Sequence, residues 1–240
     1  MNKPNGILAG RIALVTGASR GIGWAVAKRF AAEGAHLVLV ARSTGALEAV
    51  DDEIKSITGG EGATLVPMDL TDFDAIDRMG AALHERFGKL DVLVGNAGLL
   101  GGLTPMHQVD PKTWDQVMGL NLTANWRLLR SMDPLLRASD AGRAIFVSST
   151  VGHDARAFWS TYAVSKAALE MMVKVYAAET VKTTIRANLV NPGATRTAMR
   201  AEAYPGEDPG TLKPPDAVTD LFVELASPAC TRTGELVEPA

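Results

Sequence analysis

The chain has 240 residues, of which 47% are hydrophobic and 21% are charged, with 24 basic and 27 acidic side chains. This composition is too apolar for a disordered chain, and 23 glycines with 12 prolines are too few for a low-complexity or collagen-like sequence. A net charge of −3 without a basic run gives no support to nucleic-acid binding, and no apolar run approaches the roughly 18 residues that a membrane span needs.

The start of the chain and its cysteine content indicate a compartment. The first residues, MNKPNGILAGR, contain no long apolar segment and no small-residue cleavage site, so we expect no signal peptide. Cys230 is the single cysteine, which excludes an intramolecular disulfide and favours a cytoplasmic location. The four histidines lack metal-ligand spacing, so no metal site is expected.

Short β-branched runs alternate with longer helical stretches along the whole chain. The runs are almost continuously apolar, as expected for strands that are covered on both faces. This order predicts an α/β fold in one domain over residues 1–240: a doubly wound parallel sheet of the Rossmann type, with about seven strands and helices on both faces. The predicted strands are Arg11–Thr16, His36–Ala41, Thr64–Pro67, Asp91–Gly95, Ala144–Ser148 and Thr184–Val190. The predicted helices are Gly23–Glu33, Thr44–Ile57, Asp72–Phe87, Pro111–Arg137 and Thr161–Lys182.

A glycine-rich turn, TGASRGIG at residues 16–23, follows the first predicted strand and leads directly into a helix. Its glycines let the backbone turn tightly, and the first amides of the helix then face a bound phosphate. The spacing G-x-x-x-G-x-G differs from the G-x-G-x-x-G pattern of many dinucleotide sites, so a turn without a ligand is the alternative.

Two arginines indicate which dinucleotide would bind. The second predicted strand ends in Ala41 and Arg42, without the carboxylate that would bind the ribose 2′-hydroxyl of NAD. Arg20, inside the glycine turn, adds a second cation. Two guanidinium groups suit one phosphate, so the sequence favours NADP(H) over NAD(H); two solvated surface arginines are the alternative.

A set of polar residues with catalytic potential follows in the second half of the chain. Tyr162 and Lys166 are four residues apart and share one face of a predicted helix. Ser149 lies at the end of the fifth predicted strand, and Asn121 lies in the preceding long helix. A Tyr–Lys pair alone is weak evidence, but its combination with the glycine turn and with Asn96-Ala-Gly after the fourth strand argues against coincidence.

From about residue 10 to residue 234 the sequence resembles the short-chain dehydrogenase/reductase family in its single-domain form. The resemblance rests on several ordered motifs with the expected separations. These are TGASRGIG at 16–23, MDLTD at 68–72, GNAG at 95–98, Asn121, Ser148-Ser149, YAVSK at 162–166 and NPGATRT at 191–197. The segments NAGLLG, TRTAMRA and EDP…LKPPD are similar to a bacterial subgroup of uncharacterised oxidoreductases.

The resemblance implies an oxidoreductase that transfers a hydride between NADP(H) and a carbonyl or alcohol substrate. In this reaction Tyr162 would be the general acid or base, and Lys166 would stabilise its phenolate and bind the nicotinamide ribose. Ser149 would donate a hydrogen bond to the substrate oxygen, and Asn121 would hold a water chain between Lys166 and solvent. The implied cofactor-binding residues are Gly17, Ser19, Arg20, Gly21, Ile22, Gly23, Arg42, Asp69, Leu70, Asn96, Ala97, Gly98, Tyr162, Lys166, Pro192, Gly193, Thr195 and Thr197.

Several of these assignments have alternatives. Asp69, assigned to the adenine amine, and Thr197, assigned to the nicotinamide side, could instead cap the helices that follow them. Gly95 replaces the first Asn of the family's N-N-A-G motif, which is expected to loosen that turn. The chain ends at Ala240, before the Asp-Gly-Gly stretch of many relatives, which favours a homodimer over a homotetramer.

Other functions are weighed against the reductase. A 3-oxoacyl-carrier-protein reductase would need a basic docking patch, for which Arg156, Arg196 and Arg200 are candidates. A dinucleotide-sensing protein without turnover would not need the Tyr–Lys pair, which is present. A serine hydrolase is excluded because Ser149 is not in a G-x-S-x-G elbow.

A segment rich in proline and glycine, residues 200–216, follows the sixth predicted strand. Long loops are more often functional than ordinary connections, and open α/β sheets bind ligands at the carboxyl ends of their strands. We therefore expect a substrate-side flap at about residues 195–213, with a linker as the alternative. Together with the loops at 99–107 and 150–160, this flap would surround the substrate, whose identity does not follow from the sequence.

Overall fold

Seven parallel strands form one sheet in the computed structural model, which describes residues 6–239 of the chain. The strands are β1 Ile12–Thr16, β2 His36–Ala41, β3 Thr64–Pro67, β4 Val92–Gly95, β5 Arg143–Val147, β6 Arg186–Val190 and β7 Leu236–Val237. Their order is β3-β2-β1-β4-β5-β6-β7. The winding direction reverses between β1 and β4, so the carboxyl ends of these two strands border the crevice in which such sheets bind ligands. The predicted doubly wound α/β fold is confirmed.

Eight α-helices pack around the sheet within the described range. They are α1 Gly21–Ala32, α2 Thr44–Thr58, α3 Phe73–Phe87, α4 Pro111–Met118, α5 Ala124–Arg137, α6 Ser160–Glu179, α7 Ala198–Ala203 and α8 Thr219–Ala226. Local sequence explains several ends: the side chain of Asp72 accepts a hydrogen bond from the Ala75 amide at 3.1 Å at the start of α3. At the other end of α3, Gly88 adopts the left-handed conformation that glycine tolerates best.

The core consists of two apolar layers, one on each face of the sheet. In β1, Ala13 and Val15 pack on the layer that contains α1, α2 and α8, whereas Leu14 packs on the layer of α3, α5 and α6. Successive strand residues point to opposite faces, so a strand covered on both sides is apolar at every position. This explains the continuous apolar runs of the sequence. None of the described helices has the length and hydropathy to cross a membrane.

A buried polar cluster occupies the amino-terminal edge of the sheet, opposite the crevice. The carboxylate of Asp91, which is fully buried, accepts hydrogen bonds from the Ile12 amide at 2.9 Å and from Ser139 at 2.5 Å. The Arg11 guanidinium lies 3.4 Å from the same carboxylate. These partners satisfy a charge that would otherwise be costly to bury, so the cluster is structural.

The stretch predicted as one helix over Pro111–Arg137 is divided. Helices α4 and α5 are joined by a π-helical turn at Gly119–Thr123, which contains the candidate residue Asn121. The prediction missed this turn because it depends on contacts distant in sequence, as described below. A π-turn inside a helix often accompanies a functional site, because it displaces side chains from the regular helical positions.

The two ends of the segment after β6 are joined by backbone contacts. The amide of Arg196 donates to the carbonyl of Lys213 at 2.9 Å, and Thr195 and Lys213 form an isolated parallel bridge. Between these positions lie α7 and a short 3₁₀ turn at Pro209–Thr211. The expected flap at 195–213 is therefore a loop whose two ends are adjacent.

Gly95, at the end of β4, has no room for a side chain. A Cβ atom at this position would overlap the ring of Phe146 on β5 and lie 2.6 Å from the side-chain oxygen of Asn125 on α5. The departure from the family's N-N-A-G motif therefore makes room for a buried phenylalanine.

We predict that Gly95→Ala lowers the free energy of unfolding by about 1–3 kcal/mol, because the added methyl overpacks this site. Urea unfolding measures the change. Gly45→Ala is the matched control, since a Cβ at Gly45 would contact nothing within 4 Å, and it should be neutral or slightly stabilising. Equal effects of the two substitutions would contradict the packing argument.

Candidate active site

A cavity of about 1370 Å³ runs along the carboxyl ends of the strands. It exceeds the roughly 300–1,000 Å³ of a typical small-molecule pocket, so it has room for a dinucleotide together with a second ligand. All predicted site residues line it except Gly23 and Asn121, which lie behind its wall. The lining set comprises Gly17, Ser19, Arg20, Gly21, Ile22, Arg42, Asp69, Leu70, Asn96, Ala97, Gly98, Ser149, Tyr162, Lys166, Pro192, Gly193, Thr195 and Thr197.

The glycine turn is held by side chains from β1 and from the loop after β4. The hydroxyl of Thr16 accepts from the amides of Asn96 at 2.9 Å and Ala97 at 3.1 Å, and donates to the carbonyl of Val94. The Asn96 side chain donates to the carbonyls of Thr16 at 2.9 Å and Gly17 at 3.3 Å. Asn96 therefore holds the glycine turn in place and also lines the cavity.

Gly23 has a packing role. A Cβ at Gly23 would overlap the carbonyl of Gly17 and lie 2.5 Å from the Asn96 side-chain nitrogen. Gly23 thus lets α1 begin directly against the turn and aims its first amides at the cavity. Gly17 and Gly21 have φ angles of 64° and 59°, which glycine adopts without strain.

A group of cations lines the end of the cavity near β2. Arg20 and Arg42 both border it; within residues 6–239 neither side chain makes an ion pair or a hydrogen bond, and the charge of Arg42 contributes to lowering the pKa of Asp69. Lys28, which sequence reasoning missed, also borders this end; its ammonium lies 3.2 Å from Glu53 and 4.8 Å from the Trp24 ring centroid. Two unpaired guanidinium groups on one wall are suited to bind a phosphate.

Asp69 faces the same end but does not cap a helix. Its carboxylate accepts from the Thr71 amide at 2.9 Å and from the Thr71 hydroxyl at 2.8 Å. These hydrogen bonds lower the pKa of Asp69, so it is ionised at neutral pH. The alternative that Asp69 caps the following helix is wrong, because Asp72 caps α3.

Tyr162 lies on the first turn of α6 and is almost completely buried. Burial disfavours the phenolate and raises the pKa of Tyr162 to about 12, while the hydrogen bond with Ser149 acts in the opposite direction. The structure thus brings together the predicted Tyr and Ser, from α6 and from the end of β5. A phenol with this pKa is protonated at neutral pH, and a nearby cation would favour its phenolate form.

Lys166 supplies that cation from the next turn of α6. Its ammonium is buried, donates to the Val147 carbonyl at 2.7 Å and lies 5.6 Å from the Tyr162 ring centroid. Burial lowers the pKa of Lys166 to about 8, and the charge of Glu170 opposes this shift. The four-residue spacing places both side chains on one helix face, as the sequence predicted.

Asn121 is fully buried and joins two parts of the site. Its side-chain oxygen accepts from the Leu99 amide at 2.8 Å, and its amide donates to the Leu99 carbonyl and to Ser165, both at 3.0 Å. Its backbone carbonyl accepts from the side chain of Asn125 at 2.8 Å. Asn121 makes these contacts from the π-turn, and they fix the loop after β4 against α6.

The flap contributes its first residues to the opposite wall. Thr195 is buried and its hydroxyl donates to the Pro192 carbonyl at 3.2 Å. Thr197 caps α7 by accepting from the Arg200 amide at 3.2 Å, which confirms the capping alternative. The Arg200 guanidinium forms two hydrogen bonds of 2.6 Å with Glu207 and stacks on Tyr204.

An apolar wall lies beside Tyr162. Trp159 packs 5.8 Å from the Tyr162 ring, and Leu100 and Val151 are buried in the same cluster. The loop before α6 is strained at Phe158, whose φ is 72°, and the Phe158 carbonyl accepts from the Thr104 amide at 2.8 Å. The loops at 99–107 and 150–160 are therefore tied to each other.

Sequence reasoning missed several polar residues behind the site. Ser148, Ser165, Asn125 and Glu170 are all buried and hydrogen-bonded there. Glu170 could have been found from the sequence, because it lies four residues after Lys166 on the same helix face.

Comparison with known proteins identifies relatives of this chain in both sequence and structure. The sequence profile of the short chain dehydrogenases matches residues 11–208. The uncharacterised oxidoreductase YciK of Escherichia coli K12 is 40% identical over 220 residues, which cover 91% of this chain and 87% of YciK. A short chain dehydrogenase from Shigella flexneri 2a, crystallised with NADP, is 39% identical with a TM-score of 0.93, covering 97% and 98% of the two chains. A short chain dehydrogenase from Escherichia coli CFT073, crystallised with NADPH, has the same identity and TM-score over 97% of both chains.

The pKa of Lys166 predicts a pH dependence of stability. Its folded value of about 8 lies below the usual value of 10.5, so between these limits the unfolded chain binds more protons and stability rises with pH. We predict that the difference in unfolding free energy between wild type and Lys166→Met increases by about 3 kcal/mol from pH 8 to 10.5. Urea unfolding across this range measures it. Lys174→Met, at an exposed position of α6, is the control, and a flat difference for Lys166→Met would contradict the buried charge.

Proposed function

The chain belongs to the short-chain dehydrogenase family, and we propose that it is an NADP(H)-dependent carbonyl reductase or alcohol dehydrogenase. The observation that carries the proposal is the buried Tyr162–Lys166 pair with Ser149 at the phenol, in a cavity large enough for a dinucleotide. The relatives crystallised with NADP and NADPH support the choice of cofactor, as do the two unpaired guanidinium groups of Arg20 and Arg42.

The residues of the cavity fit a dinucleotide. Glycines leave space where it would lie: a Cβ at Gly98 would project between Asn121, Lys166 and the Met199 side chain at 3.5–3.9 Å. A Cβ at Gly21 would face the Thr197 methyl at 3.5 Å, across the gap between the glycine turn and the flap. The first amides of α1 would hold the pyrophosphate, Arg20 and Arg42 the 2′-phosphate, and Asp69 the adenine amine. Leu70, Ala97, Pro192, Gly193 and Thr195 would line the remaining contacts, with Ser19 and Ile22 in the turn.

The nicotinamide supplies or accepts the hydride, and the protein handles the proton. In reduction, Tyr162 gives its proton to the carbonyl oxygen as negative charge develops there, and Ser149 donates a second hydrogen bond to that oxygen. Lys166 stabilises the resulting phenolate by its positive charge. In oxidation the same phenolate accepts the proton of the alcohol. Asn121 fixes the loop and the helix between which a proton path from Lys166 to solvent would run.

The alternatives have less support. A carrier-protein reductase needs free cations near the flap, but Arg200 is neutralised by Glu207, which leaves Arg156 and Arg196. A binding protein without turnover would have no use for the buried Tyr–Lys pair. We also propose a cytoplasmic homodimer, supported by the lone Cys230 and by the exposed apolar side chains of Trp126, Met171 and Val175 on α5 and α6.

We predict that Tyr162→Phe lowers kcat for reduction of aldehydes or ketones by at least about 100-fold, because no proton donor remains at the carbonyl. The rate of NADPH oxidation, followed by the absorbance of the reduced nicotinamide, is measured over a panel of aldehydes and ketones. Binding of NADPH should be retained. Tyr176→Phe, on the same helix and bonded to Asp133, is the control with unchanged kcat. A Tyr162→Phe rate equal to that of wild type would refute the mechanism.

We predict that Arg42→Ala weakens NADPH binding by about 10- to 100-fold, since one charge-assisted hydrogen bond to a phosphate is lost. Binding of NADH, which lacks the 2′-phosphate, should change little. Fluorescence titration of both dinucleotides gives the two dissociation constants. Arg156→Ala removes a cavity arginine near Trp159 and is the control. Equal losses for NADPH and NADH would contradict the assigned phosphate site.

A further inference from the structure

A buried carboxylate lies behind the site and takes no part in the mechanism above. Glu170, on α6 two turns after Tyr162, is only 4% exposed. Its Oε1 atom accepts from the Ser148 hydroxyl at 2.6 Å and lies 3.1 Å from Nδ1 of His153. Carboxylates are seldom buried to this degree without a charge partner, so the position of Glu170 requires an explanation.

The neighbouring backbone is shaped around this carboxylate. A Cβ at Gly152 would lie 2.6 Å from Oε1 of Glu170 and 3.2 Å from the Ser148 hydroxyl. Any other residue at 152 would displace one of these atoms. The carboxylate therefore occupies a specific recess made by Ser148, Gly152 and His153.

The recess lies next to the ammonium of Lys166. Lys166 donates to the carbonyl of Val147, and the carboxylate accepts from Ser148, so consecutive residues at the end of β5 hold the two charges. The residues are also four apart on α6, which puts them on one helix face. The Lys166 ammonium and the Glu170 carboxylate lie more than 4.0 Å apart and form no direct ion pair. Their attraction acts through a buried region, where screening by water is weak.

We propose that Glu170 is a positioning residue that provides the counter-charge for Lys166 and keeps its ammonium protonated inside the protein. The inference deepens the proposed function, on which the importance of a charged Lys166 rests. The ammonium has a single carbonyl, that of Val147, as hydrogen-bond partner among the described residues, and without Glu170 it would have no buried negative charge near it.

Other charged groups near the pair are few. From the loop after β5, His153 faces the carboxylate, and its side chain is 36% exposed. On α6 itself, Tyr162 lies on the far side of Lys166, and Lys174, one turn beyond Glu170, is exposed. From the π-turn, Asn121 contributes an uncharged amide, which is hydrogen-bonded to Leu99 and Ser165. Within residues 6–239, no other cation lies within ion-pair distance of the Glu170 carboxylate.

A double-mutant cycle tests the coupling without any substrate. The four proteins are wild type, Glu170→Gln, Lys166→Met and the double variant, and urea unfolding gives each folding equilibrium constant at pH 7 and at pH 10.5. At pH 7, Glu170→Gln should lower the constant about tenfold more when Lys166 is present than in the Lys166→Met background, because an opposite charge at this range shifts a pKa by about one unit or more. At pH 10.5 folded Lys166 is neutral, since its pKa is about 8, and the coupling should vanish.

The cycle is informative even when one variant does not fold. If Glu170→Gln alone is unfolded at pH 7, the addition of Lys166→Met should restore folding, because it removes the uncompensated charge. Failure of the double variant to fold, a coupling below about twofold, or a coupling that persists at pH 10.5 would overturn the proposal and leave Glu170 a structural residue. Glu179→Gln, at an exposed carboxylate of the same helix, should show no coupling with Lys166→Met.

The dependence of kcat/KM on pH distinguishes a failure of this inference from a failure of the proposed function. In wild type, kcat/KM should fall at high pH as Lys166 loses its proton, and in Glu170→Gln this fall should begin about one pH unit lower. Glu170→Asp keeps the charge and should recover the wild-type profile in part. A uniform loss of rate at every pH would oppose the inference. Absence of any turnover in wild type would instead refute the proposed function, and the coupling measured by unfolding would still decide the role of Glu170.

Discussion

Burial of the Lys166 ammonium is the constraint around which the site is organised. A cation inside a protein loses its hydration and needs compensation from fixed dipoles and charges. The Val147 carbonyl at the end of β5 accepts one hydrogen bond from the ammonium. The tight loop after β4, where Gly98 lacks a side chain, leaves the ammonium in contact with the cavity. A cation this close to the phenol of Tyr162 favours its phenolate form.

The sheet brings the parts of the site together at one edge, where its strands end. Parallel strands end at one edge, so β1, β4 and β5 deliver the glycine turn, the Asn96 loop and the Ser149 loop to the same crevice. Asn96 then connects two of these segments by hydrogen bonds to the turn carbonyls. The two loops are thus held to each other by their own polar side chains.

Much of this arrangement could be predicted from the sequence, since it is encoded locally. Continuous apolar runs gave β2 and β3 with their exact bounds, and the four-residue spacing placed Tyr162 and Lys166 on one face. The π-turn around Asn121 could not be predicted, because its hydrogen bonds come from Leu99 and Ser165, far away in the chain. The replacement at Gly95 was expected to loosen the turn, whereas the structure fills the space with Phe146, a contact that no local pattern contains.

The closed base of the flap bears on how related enzymes can diversify. Residues 195 and 213 are already joined in the sheet-like bridge, so the intervening chain starts and finishes at the same point. Lengthening such a loop carries a small entropic cost, about 0.6 kcal/mol for each doubling of its length. Insertions and deletions between these anchors can therefore remodel one wall of the cavity without disturbing the sheet. The segment is a natural place for exchange between homologues, in evolution and in protein engineering.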